Sequence, residues 1–277
     1  MAQANRSLRA GCAGFVVAGT TGESSTLDES EYLELIGWAR EAAAGQIPVI
    51  AGCSDNATER ALSKARAAEQ AGANALLVAT PHYNKPEPEG LLAHYETLHK
   101  ATKIPVILYN VPGRTGVNLG LETIVRLSRL PRIIGLKDST SDITRPARLV
   151  RDVDPAFTVL AGEDSTAPAF WAQGARGSIS VTANLVPEWL VTCFAAWQSG
   201  NAIIFNEYRD KLTPLHQMLF LETSPAPLKY ALHRIGIGNG HLRLPLTPPR
   251  PETCEAIDDG LERAGLLEPR QVPKRAS

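Results

Sequence analysis

In this 277-residue chain, the run Ile133-Ile134-Gly135-Leu136-Lys137-Asp138 places a lysine at the end of an otherwise apolar stretch. A buried amine is costly unless it is paired, neutral or reacting. Desolvation favours the free base, the form that attacks a carbonyl to make a Schiff base. Two roles fit Lys137: a nucleophile, or a structural lysine paired with Asp138 or another carboxylate. Gly19-Thr20-Thr21-Gly22-Glu23-Ser24 sets two hydroxyl residues between glycines. Such a turn either offers N–H and O–H donors to a carboxylate or caps a helix. Tyr109 closes the run Val106-Ile107-Leu108-Tyr109 and either relays protons or fills the core. Arg114, in Pro112-Gly113-Arg114-Thr115-Gly116, either grips a carboxylate or is a solvated charge. Tyr83, in Thr80-Pro81-His82-Tyr83-Asn84-Lys85-Pro86, is a catalytic or an interface aromatic.

Several classes of function are disfavoured. His82, His94, His99, His216, His233 and His241 form no metal-binding spacing, so no metal is expected. Cys12, Cys53, Cys193 and Cys254 are too scattered for a CxxC motif. With 28 basic and 29 acidic residues the net charge is −1, which argues against a nucleic-acid binder by bulk charge. No apolar run reaches the roughly 18 residues of a membrane span. Residues 1–10 carry two arginines and no apolar secretion segment, so a reducing, cytoplasmic setting is expected.

The elements that must position these groups are legible as an alternation. Apolar runs at 14–18, 48–52, 75–80, 105–110, 133–137, 158–162 and 178–182 read as seven buried parallel strands, because they are continuous rather than alternating. Helical stretches lie at 29–44, 58–71, 88–102, 121–130 and 143–152, with Asp28 and Asp142 as N-caps and Gly45 and Gly72 as stops. No GxGxxG or GxxxxGK[ST] sits at a strand–helix junction, which disfavours a doubly wound nucleotide fold. A (β/α)8 barrel puts its chemistry at the C-terminal strand ends, where these residues fall. Seven strands are one short of a barrel; residues 1–13 can supply part of a helix but no strand, so either the first strand is missing, or its start lies elsewhere, or the barrel closes otherwise. Beyond residue 184 only helical signals remain. A barrel domain over 1–185 and a helical domain over 186–277 are expected.

Together, GTTGES, the TPHYNKP loop, YNVPGRTG, GLKDST and SVTAN resemble the dihydrodipicolinate synthase / N-acetylneuraminate lyase superfamily of class I aldolases. The match runs in order from about residue 11 to the end. The segments 212–216, 225–229 and 242–246 are similar to the synthase branch in particular. The resemblance implies a (β/α)8 barrel with a C-terminal helical domain, a homotetramer, and no cofactor beyond a covalent imine between Lys137 and pyruvate. It implies condensation with a small aldehyde, aspartate semialdehyde favoured, in lysine biosynthesis. Tyr109, Thr20 and Tyr83 match a proton relay, with Tyr83 reaching into a neighbouring subunit. Thr20 and Thr21 match residues that hold the pyruvate carboxylate, Arg114 the arginine that binds the aldehyde's carboxylate, and Gly162 and Ile179 residues lining the pocket.

Two departures stand out. Asp138-Ser139 replaces the frequent Glu-Ala of the synthases and is similar to 4-hydroxy-2-oxoglutarate and 2-keto-3-deoxy-sugar-acid aldolases, the alternative reading. Glu29, Tyr32, Arg60 and His82 stand where the lysine-feedback site commonly has His, His, Glu and Tyr, while Asn56 fits. Weak or absent lysine inhibition is expected. A further possibility is a non-catalytic paralogue that binds a small acid, since fold resemblance does not establish function.

Overall fold

A computed structural model describes residues 2–268. The chain forms two compact units, one ending at Val181 and the other beginning at Thr182. The first is built on a six-stranded parallel sheet in sequential order. Its strands are β1 (Phe15–Val17), β2 (Val49–Gly52), β3 (Ala75–Ala79), β4 (Val106–Asn110), β5 (Ile133–Asp138) and β6 (Thr158–Ala161). Its helices are α1 (Ala2–Arg9), α2 (Glu29–Ala43), α3 (Thr58–Gln70), α4 (Pro88–Ala101), α5 (Pro112–Thr115), α6 (Leu121–Ser128), α7 (Arg145–Asp152) and α8 (Ala167–Ala172). Consecutive parallel strands joined through helices are the wall of a (β/α)8 barrel.

The strand runs are apolar throughout because both faces are covered: every residue of β3 and β4 is buried. On the inner face Leu77, Ala79, Ile107 and Tyr109 form one cluster, joined by Val16, Ile50, Val111 and Ile179. The outer face meets the helices, and the Tyr95 phenol of α4 donates to the Val78 carbonyl of β3 at 3.1 Å. Residues ahead of β1 are helical, as expected: Ala4 and Leu8 of α1 pack on Phe15, Ala39, Ala42, Ala43 and Val49.

Local signals act where expected at α2. The Asp28 carboxylate accepts from the Glu31 N–H at 2.9 Å while the Glu31 carboxylate accepts from the Asp28 N–H at 3.0 Å. Ala44 then turns left-handed (φ 47°) and Gly45 follows (φ 73°). Asp142 instead forms an Asx turn with Thr144, and α7 begins three residues later at Arg145. The expected seventh strand at 178–182 is a correction. Only Ser178 bridges Ala161, and Thr182–Asn184 is a 3-10 turn. A ladder needs successive pairs, and this segment leaves β6 after the Ile179 N–H donates to the Ala161 carbonyl at 2.9 Å.

The second unit holds α9 (Pro187–Gln198), α10 (Ala202–Met218), α11 (Ala226–Arg234) and α12 (Pro251–Arg263). Arg234 of α11 pairs with Asp258 of α12 at 2.7 Å. No helix among the described residues is long and apolar enough to cross a membrane.

His94, buried on α4, gives the fold a pH dependence. Its Nδ1 shares a 3.0 Å hydrogen bond with the Thr58 hydroxyl, and its Nε2 has no partner among the described residues. Burial lowers its pKa to about 4, against a smaller opposing pull from Asp55. The imidazole is neutral in the fold, whereas the unfolded chain takes up its proton near the ordinary histidine value of 6.5. Stability contributed by the neutral ring is therefore complete above pH 6.5 and is lost as pH falls towards 4. Between pH 7 and pH 5 the native chain should lose about 2 kcal/mol more than His94→Gln in urea denaturation. Equal losses in both proteins would refute this.

Candidate active site

The residues that could do chemistry gather at the C-terminal edge of the sheet. Lys137 and Tyr109 are register partners on β5 and β4, so their side chains leave the same face side by side. The Lys137 Nζ stands 4.3 Å from the centre of the Tyr109 ring. Lys137 is 9% exposed, and Asp138, the carboxylate that could have paired with it, is taken. Asp138 Oδ2 accepts from Arg145 Nε at 2.8 Å, with the two side chains 1% and 6% exposed. Among the described residues Lys137 makes no ion pair, so neither Asp138 nor another carboxylate holds this buried amine.

Gly162 fits this pocket through its missing side chain. A Cβ there would lie 2.8 Å from Lys137 Cε and 2.2 Å from Ser139 Oγ. Glycine thus lets β6 close over the lysine stem without blocking it. Ile179, half-buried, packs with Tyr109 in the inner cluster. The Thr20–Thr21 turn follows β1 and is seated by a second close approach. A Cβ on Gly52 would lie 2.1 Å from the Ala18 carbonyl oxygen. Ala18 (φ 49°) and Glu23 (φ 52°) bracket the turn in left-handed conformations, a strain that concentrates at functional sites. Both threonines are half-buried, in the turn that leaves the C-terminal end of β1.

Two expected residues are not drawn to the lysine within this chain. Tyr83 is 86% exposed, on a loop where it and Lys85 have positive φ (71° and 49°). Arg114 lies exposed on α5, after Tyr109 and Asn110.

Ser139 stands beside the lysine stem. Its hydroxyl is buried with no hydrogen-bond partner among the described residues, facing the same point as Lys137 Cε. Arg145 and Asn110 were not singled out, because a lone arginine or asparagine in the sequence is indistinguishable from a surface residue. A separate pocket of about 230 Å³ is lined by Glu29, Tyr32, Arg60, Lys64, Ser24 and Ser54 among others. Asp55 bridges Arg60 at 2.9 Å and Lys64 at 3.0 Å beside it. No group of three or more His, Cys, Asp and Glu that could hold a metal occurs among the described residues.

Comparison with known proteins places this arrangement. The chain is 46% identical over 257 residues to the 4-hydroxy-tetrahydrodipicolinate synthase of Rhodospirillum centenum, covering 93% of this chain and 88% of that protein. Its structure superposes on a monomeric dihydrodipicolinate synthase variant with a TM-score of 0.94 and 39% identity, covering 96% and 90% of the two chains. It superposes on the Acinetobacter baumannii dihydrodipicolinate synthase, solved with pyruvate, with a TM-score of 0.92 and 40% identity over 96% and 91%. The sequence model of the dihydrodipicolinate synthetase family matches residues 2–264. With its barrel-type parallel sheet and a buried lysine at the sheet's C-terminal edge, the chain belongs to the dihydrodipicolinate synthetase family.

Proposed function

We propose that this protein is a Schiff-base-forming lyase that condenses pyruvate with L-aspartate 4-semialdehyde, a 4-hydroxy-tetrahydrodipicolinate synthase serving lysine and diaminopimelate biosynthesis. One observation carries the reading: Lys137 is buried beside Tyr109 while its neighbouring carboxylate is held by Arg145. The amine adds to the keto carbon of pyruvate, and loss of water gives an iminium. The iminium acidifies the methyl group, and departure of a proton leaves an enamine. The enamine carbon attacks the aldehyde. The substrate's own amine then displaces Lys137, closing the ring and freeing the enzyme. The imine itself serves as the electron sink, so the sequence of steps uses no cofactor.

Thr20 and Thr21 hold the pyruvate carboxylate, and Arg114 at the rim takes that of the aldehyde. Gly162 and Ile179 shape the wall. Tyr109 and Thr20 pass protons together with Tyr83 from a neighbouring subunit of a homo-oligomer, which the family resemblance suggests is a tetramer working in the cytoplasm. The outward position of Tyr83 supports a role in trans. Mixing inactive Tyr83→Phe and Lys137→Ala proteins should restore activity through hybrid sites. No recovery in verified hybrids would place Tyr83 outside the relay.

Borohydride reduction in the presence of pyruvate should leave one adduct, on Lys137, and pyruvate should be consumed only when aspartate semialdehyde is added. Turnover of the imine with no aldehyde acceptor would overturn the assignment. The orphaned Ser139 hydroxyl favours a second reading, a hydroxyl-bearing acceptor as in 4-hydroxy-2-oxoglutarate cleavage. Faster cleavage of that acid than semialdehyde condensation would establish it. In the same assay L-lysine should inhibit weakly or not at all, because Arg60 and Glu29 change the charge pattern of the side pocket. Strong inhibition at or below low millimolar lysine would contradict this.

A further inference from the structure

The two site-bearing strands end in a shared polar clamp. Tyr109 is followed by Asn110 and Lys137 by Asp138, and these followers are again register partners. Their side chains are buried, Asn110 at 0% and Asp138 at 1% exposure, and both act on the peptide of Leu119. The Asn110 side-chain oxygen accepts from the Leu119 N–H at 2.9 Å. Asp138 reaches the same residue through Arg145, whose Nε donates to Asp138 Oδ2 at 2.8 Å and whose Nη2 donates to the Leu119 carbonyl at 2.8 Å. The free Asp138 oxygen accepts from the Thr140 N–H at 2.9 Å, and Asn110 Nδ2 donates to Asn118 Oδ1 at 2.9 Å.

Burying this ion pair is expensive, and an apolar pair of similar volume would serve stability as well or better. What an apolar pair cannot do is fix a direction. Charge-assisted bonds at both ends of a planar guanidinium hold one geometry. We propose that Asn110, Asp138 and Arg145 are positioning residues, which lock the exits of β4 and β5 to Leu119 and so set the Tyr109 ring against the Lys137 amine. None of them touches substrate. They act through the placement of the two residues before them, where a misplacement of about 1 Å costs roughly 100-fold in rate. The inference rests on the proposed imine chemistry.

Arg145→Lys keeps the charge facing Asp138 but cannot span to the Leu119 carbonyl at the same time. It should lower kcat and the rate of imine trapping by about tenfold or more, leave KM for pyruvate within about threefold, and shift the alkaline limb of the pH–kcat profile. Asn118 is exposed, so Asn118→Ala keeps the fold and loosens only Asn110. It should slow trapping by about two- to threefold at an unchanged melting temperature. If Arg145→Lys folds and melts lower, yet traps pyruvate at the native rate with the native pH profile, the clamp is merely structural and the proposal falls. If Arg145→Lys does not fold, native-rate trapping by Asn118→Ala overturns it. Failure of the native protein to trap pyruvate would instead overturn the reaction, and the inference with it.

Discussion

Lys137→Ala should eliminate the borohydride-trapped pyruvate adduct and lower kcat by more than roughly 1,000-fold, because removing a covalent nucleophile leaves only binding and electrostatics. Lys137→Arg should be as inactive, since a guanidinium stays protonated and forms no imine. The stability effect should run the other way. Lys137 is a buried amine with no ion pair among the described residues, so an apolar residue of similar length relieves its desolvation. Lys137→Met should therefore melt at or above the native temperature while being inactive, the trade expected of a site that holds a costly group for its chemistry. Intact-mass analysis after reduction, kcat and thermal melts check all three variants. A pyruvate adduct persisting in Lys137→Ala would move the nucleophile elsewhere.

Tyr109→Phe should reduce kcat by roughly 100- to 10,000-fold, the span of a positioned general acid–base group. The substitution leaves the ring that packs at 4.3 Å from Nζ and in the inner cluster with Ile179, so only the hydroxyl is tested. Imine trapping should slow without being abolished, because the nucleophile is intact. A kcat within about threefold of native would demote Tyr109 to a wall of the pocket.

Much of this was legible along the chain. Continuous apolar runs such as 75–79 and 106–110 betray strands covered on both faces, and Asp28 with Glu31 announces the start of α2. The segment 178–182 misled, because Ser-Ile-Ser-Val-Thr has strand composition, while pairing depends on a neighbour that composition does not describe. At the site, a lysine ending an apolar run was conspicuous from sequence. Whether Asp138 neutralised it was not, for the answer lay in Arg145 seven residues on and in a helix that carries it back to β5.

The sequence alone therefore determined which residue types stand at strand ends and, through its periodicity and motifs, the barrel class and the family, whose resemblance is what implies an imine at Lys137. Only the tertiary structure decided how those residues are partnered: Asp138 to Arg145 rather than Lys137, Ser139 to none of the described residues, Asn110 and Arg145 to one peptide, Tyr83 outward. The reason is physical. Burial and strand direction follow local patterns of side-chain polarity, whereas the choice among hydrogen-bond and ion-pair partners depends on distances set by packing between segments far apart in the chain.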